Sequence, residues 1–158
     1  MIDEEGYRPN VGMIVVNKLS QVLWAKRLGK QDAWQFPQGG IDADESIETA
    51  VFRELREETG LEVSSVEIVA VTKHWHRYRL PSRMLKNRNS TFVGQKQKWF
   101  MLRFTGNEGD FNLNCSRSPE FDDWQWTSYW YPISQIVGFK KNVYRKAMKE
   151  LAPSLRHV

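Results

Sequence analysis

The sequence predicts an α/β (α+β) fold in which a mixed β-sheet packs between helices. Short apolar runs of strand length, such as residues 11–16 and 98–104, alternate with polar turns. Two other stretches, residues 46–59 and 141–151, repeat apolar side chains at the spacing of a helix. The chain has 158 residues, enough for one hydrophobic core and too few for two, so we expect a single domain over residues 1–158.

The first half of the chain predicts a hairpin, an extended segment and a helix. Residues 11–16 and 21–25 are apolar and flank a short polar connection, which favours a hairpin. Residues 34–37 should be extended, since the residue before Pro37 avoids the helical region. We expect residues 38–40 to form a turn into the helix at 46–59.

The second half predicts three strands and two helices. Residues 66–75 are almost continuously apolar, as in a strand buried on both faces, and residues 98–104 and 123–130 alternate between two faces. A short turn or helix should run from Pro132 to Ile136, and the last helix, residues 141–151, repeats apolar side chains every four positions. We expect residues 77–94, which are long and basic, to be irregular and functional or mobile.

Three carboxylates within five positions, Glu54, Glu57 and Glu58, are the feature with the most chemical content. On a helix, positions i, i+3 and i+4 share one face, so these groups would repel one another. A hard divalent cation converts that repulsion into ligation, because Mg²⁺ and Mn²⁺ take oxygen ligands and bridge carboxylates to phosphates. The pattern therefore predicts a metal site that handles phosphate; the alternative is a solvated acidic helix face.

The surroundings of these carboxylates are typical of a capped, half-buried helix. Asp44 or Ser46 can cap its N-terminus, and Gly60 can end it. The side chains expected to face the core recur every four residues and are Ile47, Val51 and Leu55.

Charge is segregated along the chain, although the net charge is only +4. Residues 42–67 contain nine acidic residues and two arginines, whereas residues 73–98 contain eight lysines and arginines and no acidic residue. Such segregation favours a site in which metal ions lie on one wall and a polyphosphate is held from the other. For any single lysine, a solubilising surface role is the alternative.

The composition excludes several classes of protein. Cys115 is the only cysteine, so an internal disulfide and a thiolate metal cluster are excluded. The first residues form no apolar secretion signal, and no later segment approaches the length of a membrane span. We expect a cytoplasmic protein without a membrane partner, acting as a monomer.

The segment GGIDADESIETAVFRELREETGL, residues 39–61, resembles the Nudix box. The match consists of Gly39, Glu45 and the run from Arg53 to Leu61, which includes Glu54, Leu55, Glu57, Glu58 and Gly60. Nine or so constrained positions make this far more specific than a single glycine-rich fingerprint. The resemblance implies an αβα sandwich with a mixed central sheet and a loop-helix-loop catalytic motif.

The same resemblance implies roles for individual residues. The metal ligands would be Glu54, Glu57 and Glu58, with the carbonyl oxygen of Gly39, and Glu54 would also help to deprotonate water. Arg53 would hold a glutamate such as Glu57 in place, and Glu45 would support the loop. The cofactor would be Mg²⁺, with Mn²⁺ as the alternative.

A further metal-binding carboxylate is expected downstream. The candidates are Glu108, Asp110, Glu120, Asp122 and Asp123. We choose Glu120, because residues 118–126 resemble the PEF-x-x-W-x-W run of Nudix enzymes that attack RNA 5′ ends or dinucleoside polyphosphates. Without that resemblance, an exposed loop acid would be an equal alternative.

Residues outside the box resemble the Nudix enzymes that act on RNA. The matching segments are residues 1–3, 6–12, 34–40, 94–100 and 128–132, so the likeness covers most of the chain. It implies removal of pyrophosphate from 5′-triphosphorylated single-stranded RNA to leave a 5′-monophosphate, which exposes the transcript to decay. The residues it places at the phosphates are Arg8, Tyr78 and Lys98, and those it places around a base are Arg27, Phe139 and Lys140.

Two other functions stay open from the sequence. An asymmetric diadenosine polyphosphate hydrolase shares the box and the downstream motif, and its substrate also joins a phosphate chain to a base. A non-catalytic Nudix module that binds RNA or a nucleotide is the second alternative. Retention of three mutually repelling carboxylates argues against it, since a pure binder does not need them.

Overall fold

The computed structural model describes residues 1–85, 91–136 and 138–158. The strands in these ranges are β1 (Tyr7–Val16), β2 (Gln21–Arg27), β3 (Trp34–Gln35), β4 (Gln38–Gly40), β5 (Val66–Val71), β6 (His76–Arg79), β7 (Gly94–Phe104) and β8 (Phe121–Ser128). The α-helices are α1 (Ile47–Thr59), α2 (Tyr131–Gln135) and α3 (Gly138–Leu151). No helix in the described ranges is long and apolar enough to cross a membrane.

The described strands form one eight-stranded sheet with the central order β3-β2-β1-β7-β5. The long strands β1 and β7 are parallel, paired from Tyr7 and Gly94 to Val16 and Arg103. The other pairs are antiparallel: β4 with the first half of β1, β6 with the start of β7, and β8 with β2. The predicted mixed sheet is therefore confirmed.

Strand β1 carries apolar side chains on both of its faces, and a helix covers each face of the sheet. Val11, Met13 and Val15 pack in one cluster with residues of α1, including Val51 and Leu55. The alternate β1 side chains, Ile14 and Val16, pack in a second cluster with α3. Each such buried aliphatic side chain contributes about 1.5–3 kcal/mol, so the two faces together hold the sandwich.

An aromatic cluster fixes α3 against the sheet. Tyr144 on α3 contacts Trp24, Phe36 and Trp99 with ring centroids 5.1–6.2 Å apart. The buried backbone N–H of Phe36 donates a hydrogen bond to the Tyr144 hydroxyl over 3.0 Å. Since Lys140 lies one helical turn before Tyr144, this packing also sets where Lys140 stands.

The local pattern was wrong at three places. Strand β5 ends at Val71, whereas we predicted a strand through residue 75; Thr72, Lys73 and His74 do not continue the apolar run. The basic stretch 77–94, predicted to be irregular, contributes to β6, which pairs with β7. Residues 38–40 form strand β4 rather than a turn. In the last two cases hydrogen bonds to a distant strand decide the conformation, and local periodicity does not contain that information.

Candidate active site

Helix α1 begins and ends where its capping residues predict. The Ser46 side chain accepts a hydrogen bond from the Thr49 backbone N–H over 3.1 Å, and Gly60 ends the helix with a φ of 81°. Val51 and Leu55 are fully buried. The glutamates at positions 54, 57 and 58 consequently lie on the flank of the helix that borders β4.

Arg53 links the carboxylates of this segment. Its Nε and Nη2 atoms donate to the two carboxylate oxygens of Glu45 over 2.9 and 2.5 Å. Nη2 also donates to the carbonyl of Gly40 over 2.8 Å, so the guanidinium ties the helix to the loop before it. Nη1 lies 2.8 Å from a carboxylate oxygen of Glu54 and 3.4 Å from one of Glu57.

Glu45 fixes the loop that precedes α1. Besides its two contacts with Arg53, its carboxylate accepts a hydrogen bond from the backbone N–H of Asp42 over 2.8 Å. The hydrogen bond from Arg53, more than any other cause, lowers the pKa of Glu45. The bidentate pair therefore holds Glu45 ionised and the loop in register with the helix.

Glu58 is the most unusual group of the site. Its side chain is 3% exposed, and its Oε2 atom has no hydrogen-bond partner among the described residues. Burial, followed by the charges of Glu54 and Glu120, raises its pKa well above the ordinary value. Burial also raises the pKa of Glu54, despite the opposing effect of Arg53. A cation would satisfy the buried Oε2 atom, which has no partner among the described residues.

The absence of a side chain at Gly39 leaves room for the Glu54 carboxylate. A β-carbon on Gly39 would overlap the Cδ, Oε2 and Cγ atoms of Glu54, whereas one on Gly40 would meet nothing within 4 Å. Strand β4 thus brings its backbone directly against a carboxylate of α1.

The predicted carboxylates line one cavity of about 350 Å³. Its lining residues are Glu54, Glu57, Glu58, Ser116, Ser118 and Glu120. The donor set consists of hard oxygens and includes the unpartnered oxygen of Glu58, so these residues fit a hard divalent cation.

In the structure, these carboxylates are not positioned as ligands of one metal ion. Within the described ranges, no three His, Cys, Asp or Glu side chains are grouped closely enough to hold a metal ion. Arg53 is the visible reason, because it draws the carboxylates of Glu54 and Glu57 toward its guanidinium. Ligation requires these side chains to turn into the cavity that they already line.

A second cavity, of about 290 Å³, adjoins the first and shares Glu58 and Glu120 with it. Its remaining lining residues are two cations, two glycines and four amide side chains: Arg27, Lys140, Gly39, Gly40, Asn10, Gln35, Gln38 and Gln95. The Lys140 ammonium lies 3.5 Å from the Gln35 Oε1 atom, and burial together with the charge of Arg27 lowers its pKa to about 8. Clustered carboxylates and clustered hydrogen-bond donors therefore lie on either side of Glu58 and Glu120.

The other predicted substrate residues stand elsewhere. In the described part of the chain, Arg8 and Lys98 line neither of these two cavities. The Arg8 guanidinium lies 4.5 Å from the ring centroid of Phe92, and the Lys98 ammonium donates to the carbonyls of Thr72 and Lys73 over 3.3 and 2.6 Å.

Tyr78 and Phe139 form part of the core beside the second cavity. Tyr78 is 7% exposed and packs against Phe139 with 6.0 Å between ring centroids. Its hydroxyl donates to Gln95, one of the residues that line the cavity, over 2.5 Å. Residue 137, two positions before Phe139, lies outside the described residues.

The basic segment is partly neutralised by distant acids. Lys96 lies 3.0 Å from a carboxylate oxygen of Asp3, and Arg77 lies 3.9 Å from one of Glu5. Lys86 and Arg88 lie outside the described residues. The acid-free appearance of this stretch in the sequence therefore overstates its free charge.

Sequence reasoning missed the neutral polar residues of the site. Asn10, Gln35, Gln38 and Gln95 line the second cavity, yet none carries a charge pattern. The available signal was Gln95 and Gln97 at alternate positions just before the apolar run 99–102, because alternate residues of a strand lie on one face.

Comparison with known proteins gives a consistent result. Residues 6–154 match the NUDIX domain. An RNA pyrophosphohydrolase of Stutzerimonas stutzeri (strain A1501) is 57% identical over 156 residues, 98% of each chain. One of Hahella chejuensis (strain KCTC 2396) is 58% identical over 156 residues, 98% of this chain and 96% of its own. The fold is similar to that of an Ap4A hydrolase from C. elegans, with a TM-score of 0.66 and 16% identity over 96% of this chain and 99% of that one. The chain therefore belongs to the NUDIX family.

Proposed function

We propose that this protein removes pyrophosphate from 5′-triphosphorylated RNA by attack of water on a phosphoanhydride, leaving a 5′-monophosphate. The observation that carries the proposal is the pair of adjoining cavities, which join four glutamates to a wall of cations and amides through Glu58 and Glu120. A phosphate chain attached to a nucleotide has the matching form, since its reacting end needs cations and its other oxygens need donors. The names and full-length identity of the two relatives support the same substrate.

Nudix hydrolases use divalent metal ions, and we propose Mg²⁺ here, with Mn²⁺ as the alternative. Glu54, Glu57, Glu58 and Glu120 would hold it, together with the carbonyl of Gly39. When bound, a divalent ion supplies a bound water of lowered pKa and neutralises charge on the phosphate oxygens.

The residues of the chain position these groups and accept the proton. Arg53 holds Glu54 and Glu57 beside the cavity while Glu45 anchors Arg53 from the other side. Burial raises the pKa of Glu54, which makes this carboxylate a stronger proton acceptor than a solvated glutamate. Glu54 is thus suited to take the proton from the attacking water.

The nucleotide end of the substrate would lie in the second cavity. Arg27 and Lys140 line it, and Phe139 lies next to Lys140 at the start of α3. A guanidinium and an aromatic ring are the groups on which splayed RNA bases stack. We also propose that Arg8, Tyr78 and Lys98 act on the 5′ phosphates. Tyr78 would do so through Gln95, to which its hydroxyl donates, and Arg8 and Lys98 would be reached only by phosphates that extend beyond the two cavities.

Product analysis tests this function. Short RNA carrying a labelled 5′-triphosphate is incubated with Mg²⁺ and either the wild-type protein or Glu54→Gln. We expect 5′-monophosphorylated RNA and pyrophosphate from the wild type, and unchanged RNA from the variant. Intact triphosphate after incubation with the wild type would contradict the proposal.

Two competing functions are separated by related assays. The dinucleoside polyphosphate alternative predicts efficient hydrolysis of diadenosine polyphosphate and none of triphosphorylated RNA when both are present. The Ap4A hydrolase likeness supports that alternative only through a common fold. A non-catalytic binding module predicts RNA binding without product when Mg²⁺ is added. We also propose that the protein acts as a monomer in the cytoplasm, where transcripts are found.

A further inference from the structure

The second cavity has a wall of amide side chains whose orientations are set from behind. Asn10, Gln35, Gln38 and Gln95 line the cavity, and Asn10 and Gln35 are 4% and 8% exposed. An amide can present either its carbonyl oxygen or its NH₂ group, and the two choices favour opposite ligands. What each amide presents depends on which of its ends is already bonded.

The orientation of two of these amides depends on a hydrogen bond donated by Trp99. This residue is fully buried in the aromatic cluster, and its indole Nε1 lies 3.1 Å from the Gln97 Oε1 atom. An indole N–H can only donate, so the Gln97 atom that faces it must be the oxygen. Gln97 is 1% exposed, and its NH₂ group therefore points away from Trp99.

Gln97 in turn fixes the orientation of Asn10 and Gln38, two of the amides that line the cavity. Its Nε2 atom lies 2.8 Å from the Asn10 Oδ1 atom and 2.9 Å from the Gln38 Oε1 atom, which uses both of its hydrogens. Because Gln97 donates, Asn10 and Gln38 must turn their oxygens toward it. The NH₂ groups of Asn10 and Gln38 are therefore the ends that can donate, and one hydrogen of the Gln38 group goes to the Tyr78 hydroxyl.

Separate donors orient the other two amides in the same sense. The Tyr78 hydroxyl donates to the Gln95 Oε1 atom over 2.5 Å, and the Lys140 ammonium lies 3.5 Å from the Gln35 Oε1 atom. The Gln38 side chain also donates toward the Tyr78 oxygen, which counters the rise that burial causes in the pKa of Tyr78. All four wall amides thus have their oxygens engaged.

We propose that Trp99 and Gln97 are positioning residues that fix this wall as a hydrogen-bond donor surface for the oxyanions of a bound phosphate chain. The inference deepens the proposed function and rests on its assignment of the adjoining cavities to a polyphosphate. Neither residue touches the substrate. Their effect is to prevent Asn10 and Gln38 from flipping, since a flipped amide would turn an oxygen toward phosphate and repel it.

We call the hydrogen bonds that run from Trp99 through Gln97 to Asn10 and Gln38 the relay. Trp99→Phe tests its first step, because this variant removes the indole N–H while keeping an aromatic ring. The matched control is Trp24→Phe, which loses the same volume in the same cluster, where Trp24 also contacts Phe36 and Tyr144, but lies outside the relay. We expect KM for triphosphorylated RNA to rise about tenfold in Trp99→Phe, the size of one lost hydrogen bond to a charged group. We expect kcat to change less than twofold in both variants and KM to be unchanged in Trp24→Phe.

A second variant guards against a folding defect at Trp99. Gln97→Met keeps the length of the side chain and removes the relay, so it should raise KM to the same extent. The double variant with Trp99→Phe should be no worse than either single one, because both changes act through one group. Additive losses would overturn the relay.

A binding assay makes the test independent of turnover. Imidodiphosphate, whose P–N–P bridge resists hydrolysis, is titrated in the presence of Mg²⁺ while side-chain amide signals are followed by NMR. Asn10 and Gln38 NH₂ signals should shift on binding to the wild type, and Trp99→Phe should bind about tenfold more weakly. Equal affinity of Trp99→Phe and Trp24→Phe, or no binding by the wild type, would refute the inference. Binding that follows this pattern without cleavage of RNA would instead refute the proposed function alone.

Discussion

Replacing Glu58 by glutamine should stabilise the metal-free protein while abolishing its response to Mg²⁺. The carboxylate is 3% exposed, one of its oxygens has no partner among the described residues, and Glu54 and Glu120 add like charge nearby. Glutamine keeps the shape, removes the charge and supplies an NH₂ group that can donate to either neighbour.

The expected size follows from the cost of an unpaired buried polar group. Leaving such a group without a partner costs about 1–3 kcal/mol, so Glu58→Gln should raise the free energy of unfolding by about 1–2 kcal/mol in EDTA. For a chain of this size, each kcal/mol raises Tm by about 2–4 °C. Mg²⁺ should reverse the order, because at 100 times Kd a ligand stabilises the wild type by about 2.7 kcal/mol.

Thermal unfolding in EDTA and in Mg²⁺, followed by circular dichroism, measures both effects. Glu57→Gln is the matched control, since the Glu57 side chain is 43% exposed and its neutralisation should change stability by less than about 0.5 kcal/mol in EDTA. The reasoning is refuted if Glu58→Gln is less stable than the wild type in EDTA, or if Mg²⁺ stabilises Glu58→Gln as much as it stabilises the wild type.

Three further predictions concern activity. Glu54→Gln should lower kcat at least about 100-fold with an unchanged unfolding curve, because it removes the proton acceptor but little volume; near-normal turnover would contradict the role of Glu54. Because the pKa of Lys140 is lowered to about 8, its positive charge is present below that pH and lost above it. KM for RNA should therefore rise above pH 8 in the wild type and in the control Lys141→Arg but stay flat in Lys140→Arg, and identical KM profiles for all three would contradict the role of the Lys140 charge. Gly39→Ala should lower kcat about 100-fold by displacing the Glu54 carboxylate, whereas Gly40→Ala, with open space at its β-carbon, should be active; equal kcat values for these two variants would count against the close approach.

Much of the fold was predictable because it depends on local chemistry. The caps of α1 at Ser46 and Gly60 depend on short-range hydrogen bonds and backbone preferences. The predicted helix, residues 46–59, therefore agrees closely with the observed one, Ile47–Thr59. The apolar spacing of β1, β7 and α3 likewise identified the elements that carry the two cores. Strand β6 was missed because its backbone hydrogen bonds go to a partner strand that begins about fifteen residues later in the chain.

The candidate site divides in the same way. Spacing alone brought Glu54, Glu57 and Glu58 to one region, and the downstream motif added Glu120 to the same cavity. Spacing did not reveal that Lys98 bonds to backbone carbonyls or that Asp3 pairs with Lys96. Those contacts join residues that are far apart in the chain.

The sequence by itself determined the acidic helix α1, the mixed sheet and the family, because periodicity, capping and a fixed motif are properties of neighbouring residues. The tertiary structure alone decided that Glu58 is buried with an unpartnered oxygen and that Trp99 and Gln97 orient an amide wall. Burial and hydrogen-bond direction depend on what other segments pack against a side chain, and that packing exists only once the chain has folded.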